Sequence, residues 1–388
     1  MSEWQKIELE KFITFQRGFD IVKRDMEEDG LYDVIFSSGF GGKHDQFKVK
    51  APGVIIVRKG TLGSVFYCDT DFCPTDTTLW VKDFHKNHPK FAYYFLKTLK
   101  FEQYDCGSAN PTLNRNHIHT LEVSIPKSPE EQKRIAAVLS CLDAKIDNLR
   151  RQNETIEKIA QTLFKHWFID FEFPNDEGKP YKSSGGAMSP SELGDIPAGW
   201  KVGKLGDVAK NIRLNIKEND ILSNTPYIGL EHIPRKSIVL DTWSNSEDLS
   251  SNKFIFQKGQ ILFGKLRPYF HKVGVAFISG ICSTDILVID AIKQEYFGCL
   301  LMLISNDNFI KYVSSASEGT RMPRTNWEYM KNYLFPLSNQ LKIYKDFTNF
   351  INSFLVKIDN NTKQIQTLTK TRDALLPKLM SGEIRIKE

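Results

Sequence analysis

No apolar run in these 388 residues approaches the roughly 18 needed to cross a bilayer as a helix. The opening MSEWQKIELEKF carries acids and has no apolar core, which predicts that it is not a signal peptide. The six cysteines (Cys68, Cys73, Cys106, Cys141, Cys282, Cys299) contain no CxxC or CxxxC spacing. That argues against a zinc site or a disulfide framework and predicts free, buried thiols in a cytoplasmic protein. There is no GxxxxGK[ST] loop. Ser38-Gly-Phe-Gly-Gly42 is rich in glycine but lacks the strand–GxGxxG–helix setting, and is expected to be a mobile loop. No carboxylate pair stands with a lysine at nuclease spacing. The eight histidines form no ligand cluster, and His117 and His119 alternate as on a strand.

A strong charge of one sign is also missing. The formal net charge is +5. Residues 1–128 carry 17 basic and 17 acidic side chains, and residues 200–337 carry 17 and 13. Such a balance permits nucleic-acid binding without requiring it.

What the sequence does have is a long seam in its middle. Ile135, Leu139, Leu142, Ile146, Leu149, Asn153, Ile156, Ala160, Leu163 and Trp167 recur at alternating spacings of four and three. This is a coiled-coil pattern with one polar residue in it. An unbroken helix from Ile135 to Trp167 would be roughly 50 Å long at about 1.5 Å per residue. Ser128 as N-cap, Pro129 at the first helical position and Glu131 three residues after the cap give a capping-box start, and the helix is expected to end near Phe171.

The segments before and after this helix repeat one another. Residues 1–128 read as a mixed α/β domain: a buried strand Val54–Val57, further strands at Val65–Tyr67, Thr77–Val81 and Leu121–Ile125, and a helix within His88–Phe101. Residues 174–199, rich in Pro, Gly and Ser, read as a linker or surface excursion. Residues 200–337 then echo the first domain. Trp200 matches Trp4, Gly259-Gln-Ile-Leu-Phe263 matches Gly53-Val-Ile-Ile-Val57, Lys265 matches Lys59, and Cys282-Ser-Thr-Asp285 matches Cys73-Pro-Thr-Asp76. Phe297–Tyr312 matches the Phe91 helix, and Ser317–Arg324 matches Ser108–Arg115. A second helix follows over residues 338–388, with Ile343, Phe347, Phe350, Phe354, Ile358, Asn361, Ile365, Leu368, Arg372, Leu375 and Leu379 on its seam. Four extra residues around Phe354 predict a stutter, or else a short loop. Placed by the repeat, Asn153 lies near Ile365 and is expected either to fix the register of the pair or simply to leave the seam wet.

An exposed apolar stripe needs a partner. The expected fold is therefore mixed α/β: two tandem globular domains joined by two long antiparallel coiled-coil helices in a pseudo-twofold dumbbell. The alternative is that each helix packs on its own domain. The boundaries are 1–128, 129–173 for the central helix, 174–199 for the linker, 200–337, and 338–388 for the C-terminal helix.

Basic turns recur at matching places. Arg58-Lys59-Gly60-Thr61 follows the buried strand of the first domain, and Lys265-Leu-Arg267-Pro-Tyr269-Phe-His271 follows that of the second. Asn114-Arg115-Asn116-His117 and Arg321-Met-Pro-Arg324 are polar loops. Arginine and lysine contact phosphates, and arginine, asparagine and glutamine pair with base edges. One further loop, Asn110-Pro111-Thr112-Leu113, resembles half of the Asn-Pro-Pro-Tyr loop of amino-methyltransferases, but it lacks the aromatic that would stack on a flipped base.

The sequence resembles, over nearly its whole length, the specificity subunit of type I restriction–modification enzymes. The resemblance is carried by SPEEQKRIAAVLSCLDAKIDNL at 128–149, LFKHWFIDFEFP at 163–174, GKPYKSSGGAMSPSELGDIPAGW at 178–200 and TRDALLPKLMSGEIRI at 371–386, with the two strand–turn repeats. The second helix departs from it, opening SNQLKIYKDF instead of PEEQKRI. The resemblance implies two target recognition domains, each reading half of a bipartite double-stranded DNA target, and two spacer helices acting as a ruler. It also implies docking of two methyltransferase subunits and of motor-nuclease subunits. S-adenosylmethionine, ATP and magnesium would belong to those partners, leaving this chain with no cofactor, metal or catalytic residue. The candidate DNA contacts are Lys43, Arg58, Lys59, Thr61, Asn114, Arg115, Arg213, Lys265, Arg267, Tyr269, Arg321 and Arg324. Lys43 and Arg213 fall in segments 41–50 and 213–253, which follow no shared motif and are expected to set the target. A stand-alone DNA-modifying enzyme and a structural coiled-coil adaptor are the alternatives.

Overall fold

A computed structural model describes residues 3–107, 109–246, 251–315 and 322–386. The chain divides into two compact units, Met1–Asp147 with Gln366–Glu388, and Asn148–Ile365. Both boundaries fall inside a long helix, so each unit holds one domain and part of each helix.

In the first unit an antiparallel sheet runs Thr14–Arg17, Thr78–Asp83, Gly53–Val57, Val65–Cys68. Its centre, Gly53–Val57, is buried throughout, which explains why that run is apolar on both faces. One face packs on the helix Pro89–Leu96, where Phe91 and Phe95 stack and Phe12 meets both edge-on. His88 caps that helix, accepting from the Phe91 amide at 3.4 Å. The other face packs on a small sheet of Gly39–His44, Tyr32–Phe36 and Phe72–Pro74 through Ile35, Ile55 and Phe72. His117 and His119 lie on a short helix, Arg115–His119, and not on a strand. Asn114 starts that helix by accepting from the Asn116 amide, a local bond that alternation cannot foresee.

The second unit repeats this plan. Ala209–Ile212, Ile286–Ala291, Ile261–Gly264 and Val273–Val275 form the matching sheet in the same antiparallel sense. The single expected helix at Phe297–Tyr312 is two, Phe297–Ile304 and Asp307–Ser315, because Ser305 ends one and Asn306 caps the next by accepting from the Asn308 amide. Residues 174–199 are more than a linker. Met188–Ser191 and Gly194–Pro197 form a hairpin, Ile196 is buried in the core, and Phe173 stacks on Tyr181 and Trp200 at 4.7 and 5.1 Å. Four cysteines are buried, but Cys106 and Cys141 are exposed.

The long helices are Pro129–Phe164, which widens into a π-turn over Lys165–Ile169, and Leu341–Met380. Ser128 accepts from the Glu131 amide at 3.4 Å, as the cap requires. The second helix is unbroken, so the loop at Phe354 is excluded. Its inner face reads Tyr344, Phe347, Ile351, Leu355, Ile358, Asn361 and Ile365, whereas Phe350 is 49% exposed and Phe354 is only partly covered. Tyr344, Ile351, Ile358 and Ile365 recur every seven residues, so no extra four residues are inserted and the expected stutter is absent; Ile351 and Leu355 take the inward places.

Within each unit the two helices run antiparallel. In the second, Trp167 lies against Phe347 and Asn361 Nδ2 donates to Asn153 Oδ1 at 2.8 Å. In the first, Arg372 donates to Asp143 at 2.9 Å, and Tyr94 Oη donates to the same carboxylate at 2.6 Å. Asn153 therefore faces Asn361 and not Ile365, since the interval of 208 that carries Ile135 to Ile343 still holds here and no four-residue shift intervenes. Ile135, Leu139, Ile146, Leu149, Ile358 and Ile365 are buried; Leu142, Ile156, Leu163, Leu368 and Leu375 are half-buried. Helix pairing and packing on the parent domain coexist: Ile135, Leu139, Leu379 and Met380 join the core of the first domain.

Candidate nucleic-acid interface

The basic turn of each domain is stitched to a polar loop. In the first, Gly60 N donates to Pro111 O at 3.0 Å, Leu113 N to Arg58 O at 2.8 Å, and Arg58 N to Thr77 O at 2.9 Å. Gly60 has φ +95, a conformation that glycine takes without strain. The polar loop is braced by Asp105, whose Oδ1 accepts from the amides of Gly107 and Thr112 at 2.8 Å each. Those two bonds hold its carboxyl below the usual carboxylate range.

In the second domain the same three bonds recur. Arg267 N donates to Pro323 O at 2.7 Å, Thr325 N to Lys265 O at 3.0 Å, and Lys265 N to Asp285 O at 3.0 Å. These bonds set the true register of the repeat. Lys265 corresponds to Arg58, and Leu266 to Lys59, because Lys59 bridges to Thr112 as Leu266 does to Arg324. The sequence match of Lys59 with Lys265 is off by one, since both turns are basic at neighbouring positions and side-chain type alone cannot fix a strand register.

Each turn holds an aspartate. Asp76 lies 3.1 Å from Arg17 and 4.0 Å from Lys59, and its carbonyl accepts from Arg58 at 3.2 Å. Asp285 lies 3.5 Å from Arg324. The Cys-x-Thr-Asp match is likewise off by one, since Asp285 takes the place of Thr77 in these bonds, and the part of either aspartate in orienting the cations was not visible in the sequence. Half-exposed pairs of this kind add little stability and act mainly by placing a cation.

Arg58, Lys59, Thr61, Asn114 and Arg115 thus share one loop cluster. Lys43 lies on the strand Gly39–His44, paired with Asp33 at 2.9 Å. In the second domain Lys265, Arg267, Tyr269 and Arg324 cluster around the turn Pro268–Phe270. That turn is flanked by left-handed Arg267 and His271, with φ +50 and +53. Tyr269 is 52% exposed. Arg235, which no motif announced, sets its guanidinium 4.0 Å from the centre of the Phe270 ring. Lys272 beside it is held below its ordinary range by burial and then by Arg235. Arg213 is exposed just beyond the strand Ala209–Ile212. Arg321 lies outside the described residues. Among the described residues, no group of three acidic, histidine or cysteine side chains could hold a metal ion.

Two copies of one α/β domain, each presenting a stitched cationic turn and each continuing into a long helix, define an internally duplicated protein. The family model for the type I restriction modification DNA specificity domain matches residues 1–158 and again 197–370, and the chain belongs to that family. It is 31% identical over 316 residues to the MjaIX type I restriction enzyme specificity subunit of Methanocaldococcus jannaschii, covering 77% of this chain and 70% of that one. It is 26% identical to the EcoDI specificity subunit of Escherichia coli, covering 76% and 73%. Its fold is similar to a crystal structure of a type I system S subunit from M. genitalium, with TM-score 0.61 and 18% identity over 97% of this chain and 96% of that one. No described helix is long and apolar enough to cross a membrane.

Proposed function

We propose that this chain selects the DNA sequence for a type I restriction–modification complex and does no chemistry itself. Each domain reads one half of a bipartite double-stranded target with its stitched turn and loop. The observation that supports this most is the recurrence of the same three backbone bonds holding a cationic turn in both domains, on otherwise different surfaces. The long helices set the gap between half-sites and offer docking surfaces to two methyltransferase subunits, with motor-nuclease subunits joining the assembly. S-adenosylmethionine, ATP and magnesium act in those partners, and the assembly works in the cytoplasm.

The test is DNA binding by the complex across a salt series. Arg58→Ala and Lys265→Ala, at equivalent places, should each weaken binding and reduce the salt slope by about 1, as loss of one phosphate contact does. Unchanged affinity and slope in both variants would remove the turns from the interface. Labelling of DNA with methyl groups by the purified chain alone would establish an enzyme instead.

A further inference from the structure

Between the turn of the second domain and its sheet lies a cleft of about 440 Å3, lined by Asn211, Arg213, Lys265, Arg324, Thr325 and Trp327 among others. Three of these are cations. Two others carry polar atoms that are shut off from solvent and make no hydrogen bond: Asn211 Oδ1 and Thr325 Oγ1. Thr325 is only 3% exposed. Buried polar groups are nearly always paired in a folded protein, so two unpaired ones beside one cleft point to a polar ligand that completes them.

The first domain shows that the fold does not need these polar groups. Asn211 pairs with Ile289 in the sheet, and Phe15 pairs with Val81 at the equivalent rung. Thr325 N donates to Lys265 O as Leu113 N donates to Arg58 O. The first domain therefore fills the two positions with Phe15 and Leu113, each 1% exposed. The same register sets Arg213 opposite Arg17, so the cation persists while the floor changes from apolar to polar. A difference confined to the floor of a cleft with a cationic rim fits a role in choosing a ligand, not in holding the sheet.

Resting on the reading of the chain as a DNA-specificity subunit, we propose that this cleft reads base edges of the second half-site. Asn211 pairs with an adenine and Thr325 supplies a further bond, while Arg213, Lys265 and Arg324 hold the flanking phosphates. An asparagine amide presents one donor and one acceptor at the spacing of adenine N6 and N7 in the major groove. Rotation about its last side-chain bond turns the buried oxygen toward an incoming base. In the first domain, Phe15 and Leu113 deny any base such a pair, so the two half-sites differ.

The test uses the complex with its methyltransferase subunits on a randomised DNA library, with sequencing of the modified molecules. Asn211→Leu and Thr325→Val are compared with the parent, and melting temperatures verify folding. The parent should yield two half-sites. Each variant should keep one of them intact and lose roughly tenfold discrimination at one or two positions of the other, an adenine being the base released in Asn211→Leu. An unchanged motif in both folded variants overturns the assignment while leaving the DNA-reading function in place. Uniform weakening without change of motif also overturns it, assigning the cleft to the backbone. Failure of the parent to select any sequence overturns the broader reading instead.

Discussion

His119 shows what one side chain does once the sheet encloses it. Its Nε2 accepts from the Phe15 amide at 3.0 Å, its ring stacks on the Phe15 ring, and Glu10 lies 3.6 Å from Nδ1. Burial lowers its pKa from the ordinary 6.5, with Glu10 opposing in part. The folded domain thus prefers neutral imidazole. Its contribution to stability is complete above the unfolded pKa and is lost as pH falls through the folded one. Melting of the chain should accordingly drop by several degrees between pH 7.5 and 5.5, and His119→Asn should show a smaller drop, which calorimetry across pH would measure. Equal pH dependence in the two proteins would assign the acid sensitivity elsewhere. Nothing in the sequence signalled this role: the enclosing partners are the strand at Phe15 and the acid at Glu10, more than 100 positions away.

At the scale of the helix, the buried amide pair makes a prediction that the sequence pattern alone gets wrong. A lone seam asparagine replaced by leucine is expected to stabilise. Here Asn153 has a buried partner, so Asn153→Leu leaves Asn361, whose Oδ1 already lacks a hydrogen bond, with only a 3.5 Å contact from its Nδ2 to Gln152. The single change should cost about 1–3 kcal/mol, the penalty for an unsatisfied buried polar group. The double change to leucine should recover it and loosen the choice of register, since the amide pair alone penalises a slipped alignment. Denaturant unfolding of the two variants tests this, and a stabilised single variant would mean that the seam is merely wet. The heptads and the cap at Ser128 were readable because helical periodicity survives in any local window, whereas the stutter came from matching Ile146 with Ile358 instead of Phe354. Two details were hidden. Phe350 and Phe354 look like seam residues, but Ile351 and Leu355 are the ones turned inward. The hairpin at 188–197 is held by packing of Phe173, Tyr181 and Trp200, which composition does not encode.

For the whole molecule, the duplicated domain was plain in the sequence, while its register was not. Backbone bonds correct it by one residue at Arg58 and Lys265 and by three in the polar loop, and only those corrections align Asn211 with Phe15 and Thr325 with Leu113. The proposed ruler also makes its prediction at this scale. Four residues inserted into each long helix, beside Asn153 and Asn361, add about 6 Å. With base pairs rising about 3.4 Å, the gap between half-sites should lengthen by one or two base pairs. Sequencing of adenines methylated by the altered complex reads the gap directly, and an unchanged gap would end the ruler interpretation.

The contact between Asn153 and Asn361 has one more consequence. Their numbers differ by 208, the same interval that carries Ile135 to Ile343 and Leu139 to Phe347. Each amide therefore meets its own copy from the other repeat. That is the relation found on the axis of a symmetric homodimer, where a residue faces itself. The present chain preserves it inside one polypeptide, as expected if two identical half-length ancestors were fused end to end. Such a fusion would release the halves from identity, and the difference between Phe15 and Leu113 on one side and Asn211 and Thr325 on the other is of the kind that separately coded halves can carry.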